Sequence, residues 1–448
     1  MSEHGRHVGA ATLKRLRHSR GLSLAGTARA LAAVAARLGL PLDSSAASVQ
    51  RSVARWESAR PILPSERYQL LLAHHYARNG GETSLGPGSD VAELLDALRY
   101  LGASERAIGE LRRLLVRTTT DTGLDLLSLL GPQAGAALAG ALADPQRTDA
   151  MVLDVLRTAI GDVNREVGSL PFVRLQLLLA PVVESCRRLL DGDVPGPLLP
   201  GLRTVAAHAY TLAGRLAFET RDDAASRGLY AAATETAGHI GAPWHRAVVH
   251  MSHALVTLYA TPGIEAAQRL VAAAVRDARA GHSVTVRARS HALQAELSAR
   301  GGGEHAERQA RSALALAWYD LDRDRADDPS GVSFTAAHLR GFEGVVALYV
   351  GDAATAHEEF AQSASALTQR RERVQRSIVT SDQALAQLRL GDPQSAAALL
   401  HDCVDAASAS GGRVATIRLR RARRELRPWR REEWAAALDD HMIESLGG

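Results

Sequence analysis

From about residue 200 onward the chain repeats itself, and that repeat restricts the available folds more than any other feature. Five segments share one design: "AGRLAFETRDDAASRGLYAAATETA", "SHALVTLYATPGIEAAQRLVAAAV", "SHALQAELSARGGGEHAERQARSALALA", "FEGVVALYVGDAATAHEEFAQSASAL" and "DQALAQLRLGDPQSAAALLHDCVDAA". Each places a helix of small residues before a turn carrying Gly or Asp, then an Ala-rich amphipathic helix. The second helices are expected to start near Asp222, Gly263, Gly303, Asp352 and Asp392, at offsets of 41, 40, 49 and 40 residues. Such a period predicts a helical-hairpin solenoid, in which small residues at fixed places let paired helices approach closely.

Composition agrees with an all-α fold. Aromatic residues make up only 4% while Ala, Leu and Arg dominate, a mixture that favours helix and deprives a β-sandwich of its usual core. Amphipathic stretches such as "VAELLDALRYLG" and "DAMVLDVLRTAIGDV" precede the repeats. Residues 91–200 therefore read as a helical connecting region or as degenerate members of the array, and 201–428 as the solenoid itself. Nine Arg lie between Arg413 and Arg431. A solvated cap explains them better than a second nucleic-acid contact, because a solenoid end needs a polar face; 429–448 reads as a final capping helix. The Gly-, Pro- and Ser-rich "RNGGETSLGPGSD" predicts an interdomain linker over 80–90.

The N-terminal domain, 1–79, carries the charge asymmetry. Residues 1–80 hold twelve Lys and Arg against four Asp and Glu, whereas the remaining residues are net acidic; such a patch attracts phosphates. Several short helices are expected around Leu16, Leu22, Leu31, Val49, Val53, Trp56, Leu70 and Leu71. Gly21 can end the first helix, Ser23 can cap the second, and Ser48 is the expected cap of the third. In that third helix Val49, Val53 and Trp56 recur at helical spacing and face inward, leaving Gln50, Arg51 and Arg55 exposed. Arg suits guanine O6 and N7, and Gln suits adenine N6 and N7.

"LRHSRGLS", a following helix, and then "VQRSVARWES" before a Pro-containing turn resemble the XRE type of helix-turn-helix regulator over about Thr12 to Ala77. The resemblance implies that Arg17 in the first helix bonds Glu57 at the end of the reading helix. It also implies that Gln50, Arg51 and Arg55 read bases, with Ser23, Arg29, Ser48, Ser52 and Arg60 placed for the DNA backbone. The connection "AAVAARLGLPLDSSAA" is longer than the usual turn, Leu24 stands where a phosphate-touching Gln is common, and Thr27 replaces a core Leu. The five hairpins resemble tetratricopeptide (TPR) repeats with lengthened turns. Together they resemble XRE-type regulators with a TPR-like sensory domain, similar in architecture to the peptide-pheromone regulators. A homodimer, an inverted-repeat operator on double-stranded DNA, and a peptide, small-molecule or protein effector are what this resemblance implies.

Candidate effector-binding residues are Arg215, Trp244, His245, His250, Tyr259, Arg287 and His291, chosen because aromatics are scarce and these sit in the repeats. Only Asn79 and Asn164 could offer carboxamides to a peptide backbone, whereas Arg203, Arg215, Arg287, Arg289 and Arg340 suit an anionic ligand or an acidic partner. Lys14 is the only lysine, which removes Walker A, pyridoxal and kinase chemistry. No GxSxG, HExxH or EF-hand pattern occurs, so no catalytic residue, cofactor or metal is expected; His245, His250 and His253 read as packing residues rather than ligands. Cys186 and Cys403 lack CxxC spacing. The first residues have no apolar signal core and no run could span a bilayer, so the expectation is a cytoplasmic protein with no membrane partner. The competing expectation is an interaction scaffold whose helix-turn-helix remnant does not read DNA.

Overall fold

The computed structural model describes residues 3–40, 42, 45–79, 82–120, 123–323 and 326–446. The protein is all-α, with 21 α-helices among the described residues, many of them packed as antiparallel hairpin pairs. Extended pairing there is confined to one isolated bridge and two ribbons of two-residue strands, Arg78–Asn79 with Glu82–Thr83 and Thr119–Thr120 with Gly123–Leu124. The chain divides into two compact units, Met1–Arg147 with Gln176–Ser185, and Thr148–Leu175 with Cys186–Gly448.

The first unit contains α1 (Glu3–Ser19), α2 (Leu24–Arg37), α3 (Ala46–Trp56), α4 (Glu66–Tyr76), α5 (Asp90–Leu101), α6 (Glu105–Thr118) and α7 (Pro132–Ala143). Serines set several starts: Ser23, Ser89 and Ser104 accept hydrogen bonds from the backbone N–H groups of Gly26, Ala92 and Ala107, satisfying donors that a helix start leaves orphaned. Ser45, not Ser48, caps α3, accepting from the Ser48 N–H. Ala46 and Ala47 are strong helix formers, so the helix extends back to the earlier serine. Leu16, Leu31, Val49, Val53, Trp56, Leu70 and Leu71 are buried, while Leu22 is only half-buried.

The expected boundary at residue 79 is not where the first unit ends. Its packing runs on through α5, which lies against α1 so closely that a Cβ at Gly9 would sit 2.7 Å from the Ala97 carbonyl oxygen and 2.9 Å from Leu101 Cγ. Arg20 fastens the intervening segment. Its guanidinium donates to the carbonyl oxygens of His75, Tyr76 and Arg78 and to the Asp90 carboxylate. A polar, glycine-rich stretch that looked like a tether is thus tied at both ends.

The second unit holds α8 (Ala150–Arg165) and both ends of α9 (Phe172–Leu190), followed by five hairpins. These are α10 (Leu199–Glu219) with α11 (Asp223–Gly238), α12 (Trp244–Ala260) with α13 (Glu265–Ala280), α14 (Val284–Gly301) with α15 (Glu304–Leu321), α16 (Ala336–Val350) with α17 (Ala353–Ala366), and α18 (Arg373–Arg389) with α19 (Pro393–Ser410). Asp222, Asp352 and Asp392 cap α11, α17 and α19, each accepting a backbone N–H at 3.0 Å. Eight residues before two of these caps stand Gly214 and Gly344; eight residues after them stand Tyr230 and Phe360, both fully buried. A Cβ at Gly214 would lie 3.1 Å from the Tyr230 ring and one at Gly344 2.6 Å from the Phe360 ring. Absence of a side chain on the first helix is what lets the aromatic ring of the second fit.

Two helices close the unit, α20 (Arg413–Glu425) and α21 (Glu433–Leu446). The Arg-rich segment is a solvated cap only in part: Arg420, Arg424, Arg427, Arg430 and Arg431 are exposed, whereas the other four arginines turn inward. Arg413 pairs with Asp223 and lies over the Phe218 ring, and the Val414 N–H donates to Glu219 on α10. Arg418, 6% exposed, pairs with Asp382 on α18, reaches Glu296 on α14 at 3.4 Å and donates to the Tyr259 hydroxyl on α12. Arg421 donates to Tyr349 on α16 and Arg423 pairs with Asp439 on α21. α20 therefore touches the first helix of all five hairpins, with the guanidinium groups of Arg413, Arg418, Arg421 and Arg423 turned to carboxylates and hydroxyls and those of Arg420 and Arg424 exposed.

Candidate functional site

In the first unit, α3 presents one continuous outward stripe. Ala47, Arg51, Ala54 and Arg55 are exposed and Gln50 is half-buried beside them, while Val49, Val53 and Trp56 pack inward with Tyr68 4.9 Å from the Trp56 ring. The helix is pinned at its C-terminal end. Arg17 Nε and Nη2 donate to both oxygens of Glu57, at 2.9 Å and 2.8 Å for the shorter contacts, and Nη1 donates to the Leu22 carbonyl at 2.8 Å. Both side chains are shielded from water, 8% and 7% exposed. The Glu57 carboxylate keeps the Arg17 guanidinium protonated, its pKa raised against the opposing effect of burial. A buried fork-to-carboxylate pair fixes orientation as well as proximity.

Around α3 the cations are unspent. Arg29, Arg37, Arg51, Arg55 and Arg60 are exposed and have no acidic partner among the described residues. Ser23 is exposed at the start of α2, where its oxygen already accepts from Gly26. Ser48 and Ser52 are half-buried within α3, the Ser52 hydroxyl donating to the Ser48 carbonyl at 3.2 Å. Arg60 follows α3, its N–H donating to Ser58. The connection 38–45 contains Pro41, Asp43 and Ser44, which lie outside the described residues.

The second unit contains a partly open cavity of about 590 Å³. The first helices of the hairpins supply most of its wall: Arg215 from α10, Trp244 and Tyr259 from α12, Arg289 from α14, and Phe342 from α16. Val414 and Arg418 of α20 close another side, and the loop through Val332 and Phe334 closes a third. That loop is the reason the third and fourth hairpins are spaced wider than the rest. Asp328 holds it, accepting from Ser283 Oγ at 2.8 Å, the Thr285 N–H at 2.8 Å and Ser330 Oγ at 2.6 Å.

Of the seven residues anticipated for an effector, Arg215, Trp244 and Tyr259 line the cavity and the other four do not. His245 meets His208 at 3.3 Å, and burial and that neighbour bring its pKa down to about 4. His250 lies 3.7 Å from Asp277, Arg287 donates to Asp320 at 2.8 Å, and His291 meets Gln294 at 3.3 Å. The residues that do face the cavity on α14 are Arg289, Leu293 and Glu296, at i, i+4 and i+7. Arg287 and His291 are displaced from that stripe by two positions, which on an α-helix is a rotation of about 200°. His338, Arg371 and Gln375 also line the cavity and were not anticipated; no motif marks them.

Among the described residues no group of three or more His, Cys, Asp or Glu is placed to hold a metal ion, and no helix is long and apolar enough to cross a membrane. Cys186 and Cys403 are free and buried, and burial pushes their thiols up to about 12 and about 11. Comparison of this chain with protein-family models, curated proteins and solved structures gives no match.

Proposed function

We propose that this protein is a sequence-specific DNA-binding transcription regulator, with an XRE-type helix-turn-helix head in the first unit. In this reading the second unit is a TPR-like solenoid that dimerises and couples DNA affinity to an effector or partner protein. The observation that carries the reading is the buried Arg17–Glu57 pair, which anchors a helix whose outward stripe is Ala47, Gln50, Arg51, Ala54 and Arg55. Charge-bearing and amide side chains interleaved with alanine suit a major groove: the alanines permit close approach and offer methyl contact to thymine, while Arg and Gln address purine edges. The exposed, unpaired Arg29, Arg37 and Arg60 suit phosphates, which position the reader without specifying sequence. An inverted-repeat operator would require two heads, hence a homodimer with half-sites about one helical turn apart.

Selection of genomic fragments by the purified full-length protein, followed by a salt titration on the best fragment, tests this. The expected result is an enriched inverted repeat whose affinity falls steeply with salt. The second reading, an interaction scaffold with a head that does not read DNA, draws on the eight-residue connection 38–45, longer than a reader's usual turn. It predicts no enriched sequence and partner binding indifferent to salt.

A further inference from the structure

Five arginines of the repeats were candidates for an anionic ligand, and their partners separate them. Arg215 pairs with Glu219 at 2.7 Å, Arg287 with Asp320 at 2.8 Å and Arg340 with Glu359 at 3.0 Å. Arg203 and Arg289 have no hydrogen bond or ion pair among the described residues, and of these two only Arg289 lines the cavity. Among the described residues, none of the acids of the cavity wall pairs with Arg289; their partners include Arg418 and His338 of the same wall, and Asp382 keeps one buried oxygen without a hydrogen bond. Glu296 pairs with Arg300 and Arg418, Asp382 pairs with Arg418, and Glu372 accepts the Gln369 N–H at 3.0 Å with His338 at 3.7 Å. Arg371, a further lining cation, likewise has no hydrogen bond or ion pair among the described residues.

A guanidinium half-buried in a cavity wall without a counter-charge bears part of its desolvation cost without an ion pair to offset it. Burial and the charge of Arg215 both act against it here, lowering the Arg289 pKa. The same lining includes the apolar side chains of Trp244, Val248, Leu293, Phe334, Phe342 and Val345 among polar ones. The volume lies in the range of small-molecule sites, and α20 occupies the front of the five first helices, where an extended peptide would need an open groove.

We propose that this cavity binds a small amphiphilic anion, its acidic head against the guanidinium of Arg289 and its hydrocarbon body against Trp244, Leu293, Phe334 and Phe342. The inference deepens the regulator reading, since such a ligand would be the effector. Arg289 is then a ligand-binding residue retained at a cost to the unliganded fold, and removing its charge relieves that cost.

The test uses the full-length protein without DNA, so its failure leaves the DNA reading standing and a failed DNA selection leaves it standing. The neutral dye N-phenyl-1-naphthylamine reports occupancy, and decanoate, decyl phosphate and decan-1-ol compete for it. The expected result is that one of the anions displaces the dye at a concentration at least tenfold below the alcohol, and the better anion identifies a carboxylate or a phosphate head. Arg289→Leu should abolish that preference, leave dye binding within about twofold, and not lower the unfolding temperature. Arg289→Lys, which keeps the charge but not the planar fork, should retain part of the preference. Equal competition by the alcohol on the unaltered protein would overturn the proposal without any variant, as would an anion preference that survives in Arg289→Leu.

Discussion

Replacing Arg17 by Met removes its donations to both oxygens of Glu57 and to the Leu22 carbonyl, together with its contact to His18 Nε2. The Glu57 carboxylate, 7% exposed, is then left in the interior without its cation. Removing one member of a buried ion pair costs about 3–5 kcal/mol, and the cost should fall on local opening of α3, whose last turn Glu57 terminates. Amide exchange is the suitable assay because it reads each unit separately. At 1.4 kcal/mol per decade, peptides covering residues 45–57 should exchange about 10²–10³-fold faster in Arg17→Met. The double variant Arg17→Met/Glu57→Leu removes the stranded charge, so it should exchange at least tenfold more slowly than the single one. Exchange within about threefold of the unaltered protein, or a double variant worse than the single, would refute the claim that this pair pins the helix.

If Arg51 and Arg55 face DNA, Arg51→Ala and Arg55→Ala should each weaken binding to the selected fragment by about 1–3 kcal/mol if they read bases; a contact to phosphate instead would lower the salt slope by about 0.9. His74 and His75 are brought down to about 4, chiefly by burial. The unfolded chain takes up these protons below about pH 6.5 and the folded one only near 4, so their contribution is complete above pH 6.5 and is lost as pH falls toward 4. At pH 5.5 each should cost about 1 kcal/mol relative to pH 7.5, and His74→Leu should remove about half of that dependence in exchange of the 66–76 segment. Gly344→Ala sets a methyl 2.6 Å from the Phe360 ring and should destabilise the second unit by about 1–3 kcal/mol in thermal unfolding, with Phe360→Leu recovering part of the loss.

The hairpins were legible because their signals are local. A helix of small residues, a turn carrying Gly or Asp and an Ala-rich helix recur at a near-constant period, so Asp222, Asp352 and Asp392 mark helix starts from sequence alone. Ser45 and Ser48 are both competent caps three residues apart, and only the propensity of the intervening alanines separates them. The inward course of α20 was hidden because the partners of its arginines lie 36, 122 and 159 residues away for Arg418 and 190 for Arg413. In isolation nine arginines resemble a solvated surface. The 78–90 segment misled in the same way, since Arg20 secures its ends from 58 and 70 positions upstream. For the cavity, residue types drew the reading to His250 and His291, whereas the helical stripe through Arg289, Leu293 and Glu296 decides what faces inward.

The inward arginines of α20 also constrain how this architecture can evolve. An array whose hairpins touch only their neighbours lengthens by duplication, because each added unit satisfies its own interfaces. Here Arg418 spans α12, α14 and α18 while Arg421 reaches α16 and Arg413 reaches the Asp223 that opens α11. A sixth hairpin inserted anywhere between them would carry at least one of these partners beyond the length of an arginine side chain, stranding a carboxylate or a guanidinium. The number of repeats is thereby fixed by a single crosspiece, and change is left to residues that line the interior and to loops such as the one held by Asp328.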